Sequence, residues 1–449
     1  MQRLKVYKTD FSWTKESAVL KVPGSTRYHK NDDSKSSSNG KGNVTGNINQ
    51  RILFGGEGSE REFLGQVDDN TPIPSVPDCG TVVSVQKHKE EILKEHAEWL
   101  ESSSMRIQGS KELNFFTEYG ELSRYKVKEI IGEGNSSIVC SAYDTHTGEM
   151  VAIKKINNIF KNLSVAISVT REIKLLRRLY HPDIVKIKNI LLPPSRKEFN
   201  DIYVVFEHMD CDLHQIIKAN DDLTPEHHQF FLYQILRGLK YIHTANVFHR
   251  DLRPKNILAT SECKLKICDF ARWYRAPELC GSFFSKYTPA IDIWSVGCMF
   301  AEILTGKPLF PGKNVVHQLD LMTDLLGTPS PETISTIRNE KARKYLNGMR
   351  KKAPFSLVEK FPNTDPLALG LLQRLIAFDP RDRPTVEEAL SDPYFKNLAD
   401  VEREPSAQPI TKLEFEFETR EITKEELREV IYREILEYHP VGFYLTIKS

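Results

Sequence analysis

His249-Arg250-Asp251-Leu252-Arg253-Pro254-Lys255-Asn256 places a carboxylate and a carboxamide five residues apart in one short stretch. Asp251 is a candidate base for a hydroxyl proton, and Asn256 is a candidate magnesium ligand. Past the apolar run Lys264 to Cys268, Asp269-Phe270 offers a second metal ligand. Phosphoryl transfer asks little covalent help of a protein, mainly positioning and neutralisation of charge. One carboxylate on the hydroxyl and two metal ligands therefore suffice.

A phosphate cradle belongs upstream, and the sequence has a candidate. Gly132-Glu133-Gly134-Asn135-Ser136-Ser137, flanked by Ile131 and Val139, follows one apolar strand and opens another. Two glycines let a hairpin lower its backbone amides onto phosphates where a Cβ would intrude. By itself this pattern reads better as a plain glycine turn. Val151-Ala152-Ile153-Lys154 strengthens it, because a lysine ending that strand can pair with α- and β-phosphates. Glu172, on the following helix, is the partner that would hold the lysine.

The 449 residues are enough for two or three domains, and 40% hydrophobic content supports a substantial core. Lys plus Arg (62) nearly balances Asp plus Glu (61), so no basic field points to nucleic acid or a membrane surface. Seven scattered cysteines without a Cys-x-x-Cys pair suit a reducing compartment. No apolar run approaches the length of a spanning helix. The basic first thirty residues are neither Ser-rich nor Arg-rich enough for a transit peptide.

Residues 1–111 read as a largely disordered extension. Asn31 to Gln50 is Ser/Asn/Gly/Lys-rich with almost nothing to bury, and Gln86 to Glu101 is the one amphipathic helix candidate. From Tyr125 short β-rich runs follow one another, with a helix expected around Ser168 to Leu179 and strands at Ile187 to Leu192 and Ile202 to Glu207. From Pro225 the pattern turns helical. The expected class is α+β: a small sheet-rich lobe over 125–208, a larger helical lobe over 209–395, and a C-terminal extension over 396–449. The cleft between the lobes, with a hinge near Glu207 to Asp212, is where a ligand belongs.

Residues 112–440 closely resemble plant mitogen-activated protein kinases of the branch whose activation loop carries Thr-Asp-Tyr. The stretches that carry the resemblance include FFTEYGELSRY, REIKLL, DIYVVFEHMDCDLHQIIKANDDLTPEH, VFHRDLRPKNIL, RWYRAPELCGSFFSKYTPAIDIWSVGCMFAEILTGKPLF and EREPSAQPITKLEFEFE. The resemblance implies a bilobal protein kinase fold, ATP and Mg2+ as cofactors, and phosphorylation of Ser/Thr-Pro sites in a signalling cascade. It implies that Glu207 to Met209 hydrogen-bond adenine, with Phe206 guarding the pocket behind. Asp292 would anchor the catalytic loop, Glu278 would pair with Arg383, Asn314 to Lys352 would form an extra helical insert, and Thr423 to Tyr438 would wrap back onto the small lobe. An upstream mitogen-activated protein kinase kinase and Ser/Thr-Pro substrates are the expected partners of a monomer in cytoplasm and nucleus.

Four departures qualify that picture. Ser137 replaces a third glycine. Arg253 stands where Ser/Thr kinases usually carry a lysine beside the γ-phosphate, and its planar fork is not equivalent. Of an acidic docking pair only Glu404 remains, with Ala407 at the second place, so docking is expected to weaken; a solvated Glu404 without a role reads equally well. Between Asp269 and Glu278 only Phe-Ala-Arg-Trp-Tyr-Arg-Ala-Pro remains, without Ser or Thr. Dual Thr-x-Tyr phosphorylation cannot occur there, Ala271 replaces a glycine, and Tyr274 is expected to be structural. The alternative reading is a catalytically impaired pseudokinase, decoy or splice product that binds nucleotide or partners without efficient transfer.

Overall fold

Tyr125–Glu133 (β1), Ser137–Asp144 (β2) and Glu149–Ile156 (β3) are rich in β-branched and aromatic residues, and they pair antiparallel in sequence order. In the computed structural model, which describes residues 115–116, 124–134, 136–219, 223–269, 274–280 and 288–439, they form three strands of a five-stranded sheet. Ile187–Ile190 (β4) and Ile202–Glu207 (β5) complete it in the order β1-β2-β3-β5-β4. Register puts Gly132 opposite Val139, Val139 opposite Lys154 and Lys154 opposite Val204. The glycine strand and the lysine thus share one row across the sheet. Phe115 and Tyr203 close one face with Cys140, Ile153 and Val205, and Tyr203 Oη donates to the Phe115 carbonyl at 3.1 Å.

One long helix, α1 (Leu163–Arg178), accompanies the sheet. It begins five residues before the expected Ser168, because the Asn162 side chain accepts from Ser164 N at 2.9 Å and caps it. Ala166, Val169, Ile173 and Leu176 form its buried stripe. The strand expected to reach Leu192 ends at Ile190.

The second half is helical. Cys211–Asp212 (β6), Ile257–Ala259 (β7) and Leu265–Ile267 (β8) form a small sheet beside α2 (Leu213–Ala219) and α3 (Pro225–Thr244). Pro225 at the first helical position and a Thr224–His227 capping box start α3 where the proline predicts. After α4 (Pro277–Cys280), α5 (Ala290–Thr305) runs through the core with Trp294, Phe300 and Met299 fully covered. Then come α6 (Val315–Leu326), α7 (Pro331–Thr336), α8 (Glu340–Gly348), α9 (Leu357–Lys360), α10 (Pro366–Leu375) and α11 (Val386–Leu390). The expected insert over Asn314 to Lys352 corresponds to α6–α8. The last helix, α12 (Lys424–Leu436), carries a Thr423–Glu426 capping box and buries Leu427, Ile431 and Ile435. The architecture is the expected α+β, bilobal arrangement. Among the described residues no helix is long and apolar enough to cross a membrane. The expectations for residues 1–111, for Asn135 and for Phe270 to Trp273 fall outside the described residues.

Candidate active site

Lys154 leaves β3 toward α1, where its Nζ lies 3.1 Å from Glu172 Oε1 and 3.7 Å from Asp269 Oδ1. Burial works against its charge, but the carboxylates of Glu172 and Asp269 outweigh it and hold the ammonium above the ordinary lysine range. Three residues from different parts of the sequence thus meet at one point. A Cβ at Gly132 would meet only Val139 at ordinary contact distance, and one at Gly134 would meet Ser137 Oγ at 3.2 Å. The fold itself demands little of Gly132, which leaves close approach of a ligand as its use. Ile131 is 47% exposed although apolar, Val139 is half-buried, Glu207 ends β5, and Met209 is buried two residues later.

The loop from His249 to Asn256 is built around Asp292 of α5. Its Oδ2 accepts from His249 N at 2.9 Å and His243 Nε2 at 2.9 Å, and its Oδ1 accepts from Arg250 N at 2.8 Å. Burial alone would raise this carboxyl, but the His243 hydrogen bond and charge keep it below the ordinary range. Asp292 therefore stays an acceptor and anchors the loop as expected. Arg250 (φ 70°) and Asp269 (φ 55°) both sit in the left-handed region, a conformation that must be held by such partners.

Within the loop, Asn256 Nδ2 donates to Asp251 Oδ2 at 2.8 Å, to the Asp251 carbonyl at 2.9 Å and to the Asp269 carbonyl at 3.2 Å. These acceptors fix the amide's orientation and turn its oxygen toward Arg253, whose Nε donates to it at 3.2 Å. Arg253 Nε also stands 3.5 Å from Asp251 Oδ2. The other carboxylate oxygen, Asp251 Oδ1, is buried and has no hydrogen-bond partner. Burial pushes the Asp251 carboxyl up to about 7, with Arg253 and Asn256 pulling it back and Asp269 adding to the rise. A buried carboxylate with one empty oxygen is costly unless something is meant to bind there.

At the far end of the short segment, Tyr274 Oη donates to Glu302 Oε2 at 2.6 Å and Ser295 Oγ donates to the Tyr274 carbonyl at 2.8 Å. Tyr274 is a structural tether, as expected. Glu278, at the start of α4, forms two hydrogen bonds with Arg383, at 2.7 and 2.9 Å. Glu404 departs from the reading as a solvated side chain: it is buried, accepts from Tyr233 Oη at 3.0 Å and lies 3.5 Å from Lys240 Nζ. Its carboxylate is committed inside the fold.

The structure adds one residue that the motifs did not single out, His243, and supplies partners for two that they did, His249 and Glu207. His243 braces Asp292, and His249 takes the Asp251 N–H on Nδ1 at 3.3 Å while its Nε2 faces the Cys268 carbonyl at 3.3 Å. Glu207 is held by Lys186 N at 2.9 Å and Lys266 Nζ at 3.0 Å. His243 carries no motif of its own, whereas His249 opens the stretch that ends at Asn256.

A lysine–glutamate pair beside a loop aspartate and its paired amide is the arrangement of a protein kinase domain, and the family model for that domain matches residues 125–272 and 271–395. The two matched stretches overlap at Ala271-Arg272, between Asp269 and Glu278. Mitogen-activated protein kinase 14 of Oryza sativa subsp. japonica is 73% identical over 349 residues, 73% of this chain and 64% of the relative. Mitogen-activated protein kinase 16 of Arabidopsis thaliana is 71% identical over 356 residues, 75% of this chain and 63% of the relative. Mitogen-activated protein kinase 15 of Oryza sativa subsp. japonica is 71% identical over 349 residues, covering 70% of its length. The chain belongs to the protein kinase family and, within it, to the mitogen-activated protein kinases. It spans just under two thirds of the length of the first two of these relatives.

Proposed function

We propose that this chain is an ATP-dependent protein serine/threonine kinase of the mitogen-activated class, transferring the γ-phosphate to Ser/Thr-Pro sites. The observation that carries the reading is the unpartnered Oδ1 of Asp251, beside an intact Lys154–Glu172 pair. Asp251 orients the substrate hydroxyl and takes its proton; Glu172 steadies Lys154 for the α- and β-phosphates. Backbone from Gly132 to Ser137 covers the phosphates, and Ile131, Val139 and Glu207 to Met209 receive the adenine.

Asn256 and Asp269 would hold Mg2+, whose contribution is neutralisation of phosphate charge. Their donor set fits: one carboxylate and one carboxamide suit an ion that arrives with phosphates and keeps water ligands. Among the described residues no group of three His, Cys, Asp or Glu forms a dedicated metal cage. Arg253 competes for the Asn256 oxygen, so Arg253→Lys is expected to lower, by about fivefold, the Mg2+ concentration needed for half-maximal stabilisation by ATP. Thermal unfolding at fixed ATP and varied Mg2+ measures this, and an unchanged requirement counts against the clamp.

The partners that fit this reading are an upstream mitogen-activated protein kinase kinase and substrates bearing Ser/Thr-Pro, met by a monomer in cytoplasm and nucleus. With Glu404 committed to Tyr233 and Lys240, capture of basic docking motifs is weak. The test is incubation of the purified full chain with Mg–ATP and a Ser-Pro peptide. Phosphopeptide formation is expected. Stabilisation by ATP without any phosphopeptide overturns the proposal in favour of the impaired, nucleotide-binding alternative.

A further inference from the structure

The helix that carries Glu172 also carries a row of cations, and every one of the four meets glutamates from the C-terminal extension. Arg171 is held by Glu418 through two bonds, Nε to Oε1 at 2.5 Å and Nη2 to Oε2 at 2.7 Å. Lys174 Nζ lies 2.7 Å from Glu434 Oε1, and Arg177 Nε lies 2.9 Å from the other oxygen of the same carboxylate. Arg178 Nη2 donates to Glu414 at 2.6 Å. Positions 171, 174 and 178 fall on one face of α1, so the pairs act together as a strap along the helix. Glu434 is buried, and Leu427, Ile431 and Ile435 seat α12 beneath it.

Kinases need the lysine–glutamate pair in place, and phosphorylation of the activation loop is the general way of controlling that helix. Here Phe270 to Pro277 contains no Asp, Glu, Ser or Thr, and its Tyr274 hydroxyl is committed to Glu302. That segment offers α1 no anion, whether carboxylate or phosphorylated Ser/Thr. The C-terminal extension does. We infer that Glu418, acting through Arg171 next to Glu172 and backed by Glu414 and Glu434, is a positioning residue that holds α1 in its nucleotide-binding place without phosphorylation.

This inference rests on the functional reading only for its nucleotide arm. Glu418→Arg in the full chain is expected to raise amide exchange across residues 163–178 about tenfold in the nucleotide-free state and to weaken Mg–ATP binding by about tenfold. The charge swap Arg171→Glu/Glu418→Arg is expected to restore both to within about twofold, a rescue that general unfolding cannot give. Unchanged exchange and affinity in Glu418→Arg overturn the inference, as does a swap that recovers neither. Should the unaltered chain fail to bind Mg–ATP, the functional reading falls while the exchange arm still decides the strap.

Discussion

Asp251→Asn is expected to slow phosphate transfer to a Ser-Pro peptide by about 10²–10⁴-fold, the usual worth of a general base. The substitution is structurally mild. A carboxamide can keep its oxygen on Asn256 Nδ2, where Asp251 Oδ2 now accepts at 2.8 Å, and turn its NH2 into the place of the unpartnered Oδ1. What it removes is the proton acceptor. Because burial pushes Asp251 up to about 7, kcat/KM of the unaltered chain should rise with pH through about 7, and the residual rate of the variant should lack that rise. Stability moves the other way. The folded carboxyl keeps its proton to a higher pH than the unfolded one, whose ordinary value is 3.8. The Asp251 contribution is thus fully present below that value and is lost as the pH climbs through about 7. Asp251→Asn should remove this loss, so thermal melts of the two proteins converge at low pH and diverge in the variant's favour above neutrality. Transfer within tenfold of the unaltered chain would sink the assignment of Asp251 as base.

Arg383→Ala is expected to cost about 3–5 kcal/mol, among the largest losses available to a single side chain here. Arg383 is wholly covered and all five of its donors are used: two on Glu278, and three on the carbonyls of Ala377, Ala290 and Phe378. Its guanidinium also lies 5.0 Å over Trp294 in α5. Truncation leaves a buried Glu278 carboxylate and three carbonyls without partners, which costs far more than the pair itself contributes. Since Glu278 begins α4 immediately after the short segment, the far end of that segment should loosen as well. Thermal unfolding should show a fall in Tm on the order of 10 °C. Paired replacement of Glu278 and Arg383 by apolar residues should be milder, because no charge is stranded. A loss under about 1 kcal/mol in Arg383→Ala would contradict a structural role for the buried pair.

Much of this was legible in the residues themselves. The strands from Tyr125 to Ile156 and the start of α3 at Pro225 follow local patterning and helix-start chemistry, and the structure agrees to within a residue or so. The start of α1 was misjudged because the capping Asn162 lies ahead of the strongest apolar periodicity. Of the two readings of Glu404, the solvated one fails for another reason: a glutamate in a charged, proline-containing stretch looks exposed, and only packing brings Tyr233 and Lys240 to it. The strap had a visible half-signal in the basic row of α1 and the acid-rich run from Glu414 to Glu437. About 240 residues separate them, and no local rule pairs charges at that distance.

The sequence by itself determined the chemistry within the stretch from His249 to Asn256, because Asp251 and Asn256 are covalently close and their hydrogen bond closes over only five residues. It also determined the absence of any Ser or Thr between Asp269 and Glu278. Only the tertiary structure decided that Asp292 fixes that loop, that Lys154, Glu172 and Asp269 meet, and that α1 takes its anions from the C-terminal extension. Side-chain identity sets which charges exist. Which of them are desolvated, paired or left with an empty oxygen depends on burial, and burial is settled when the sheet, the helices and the extension pack together.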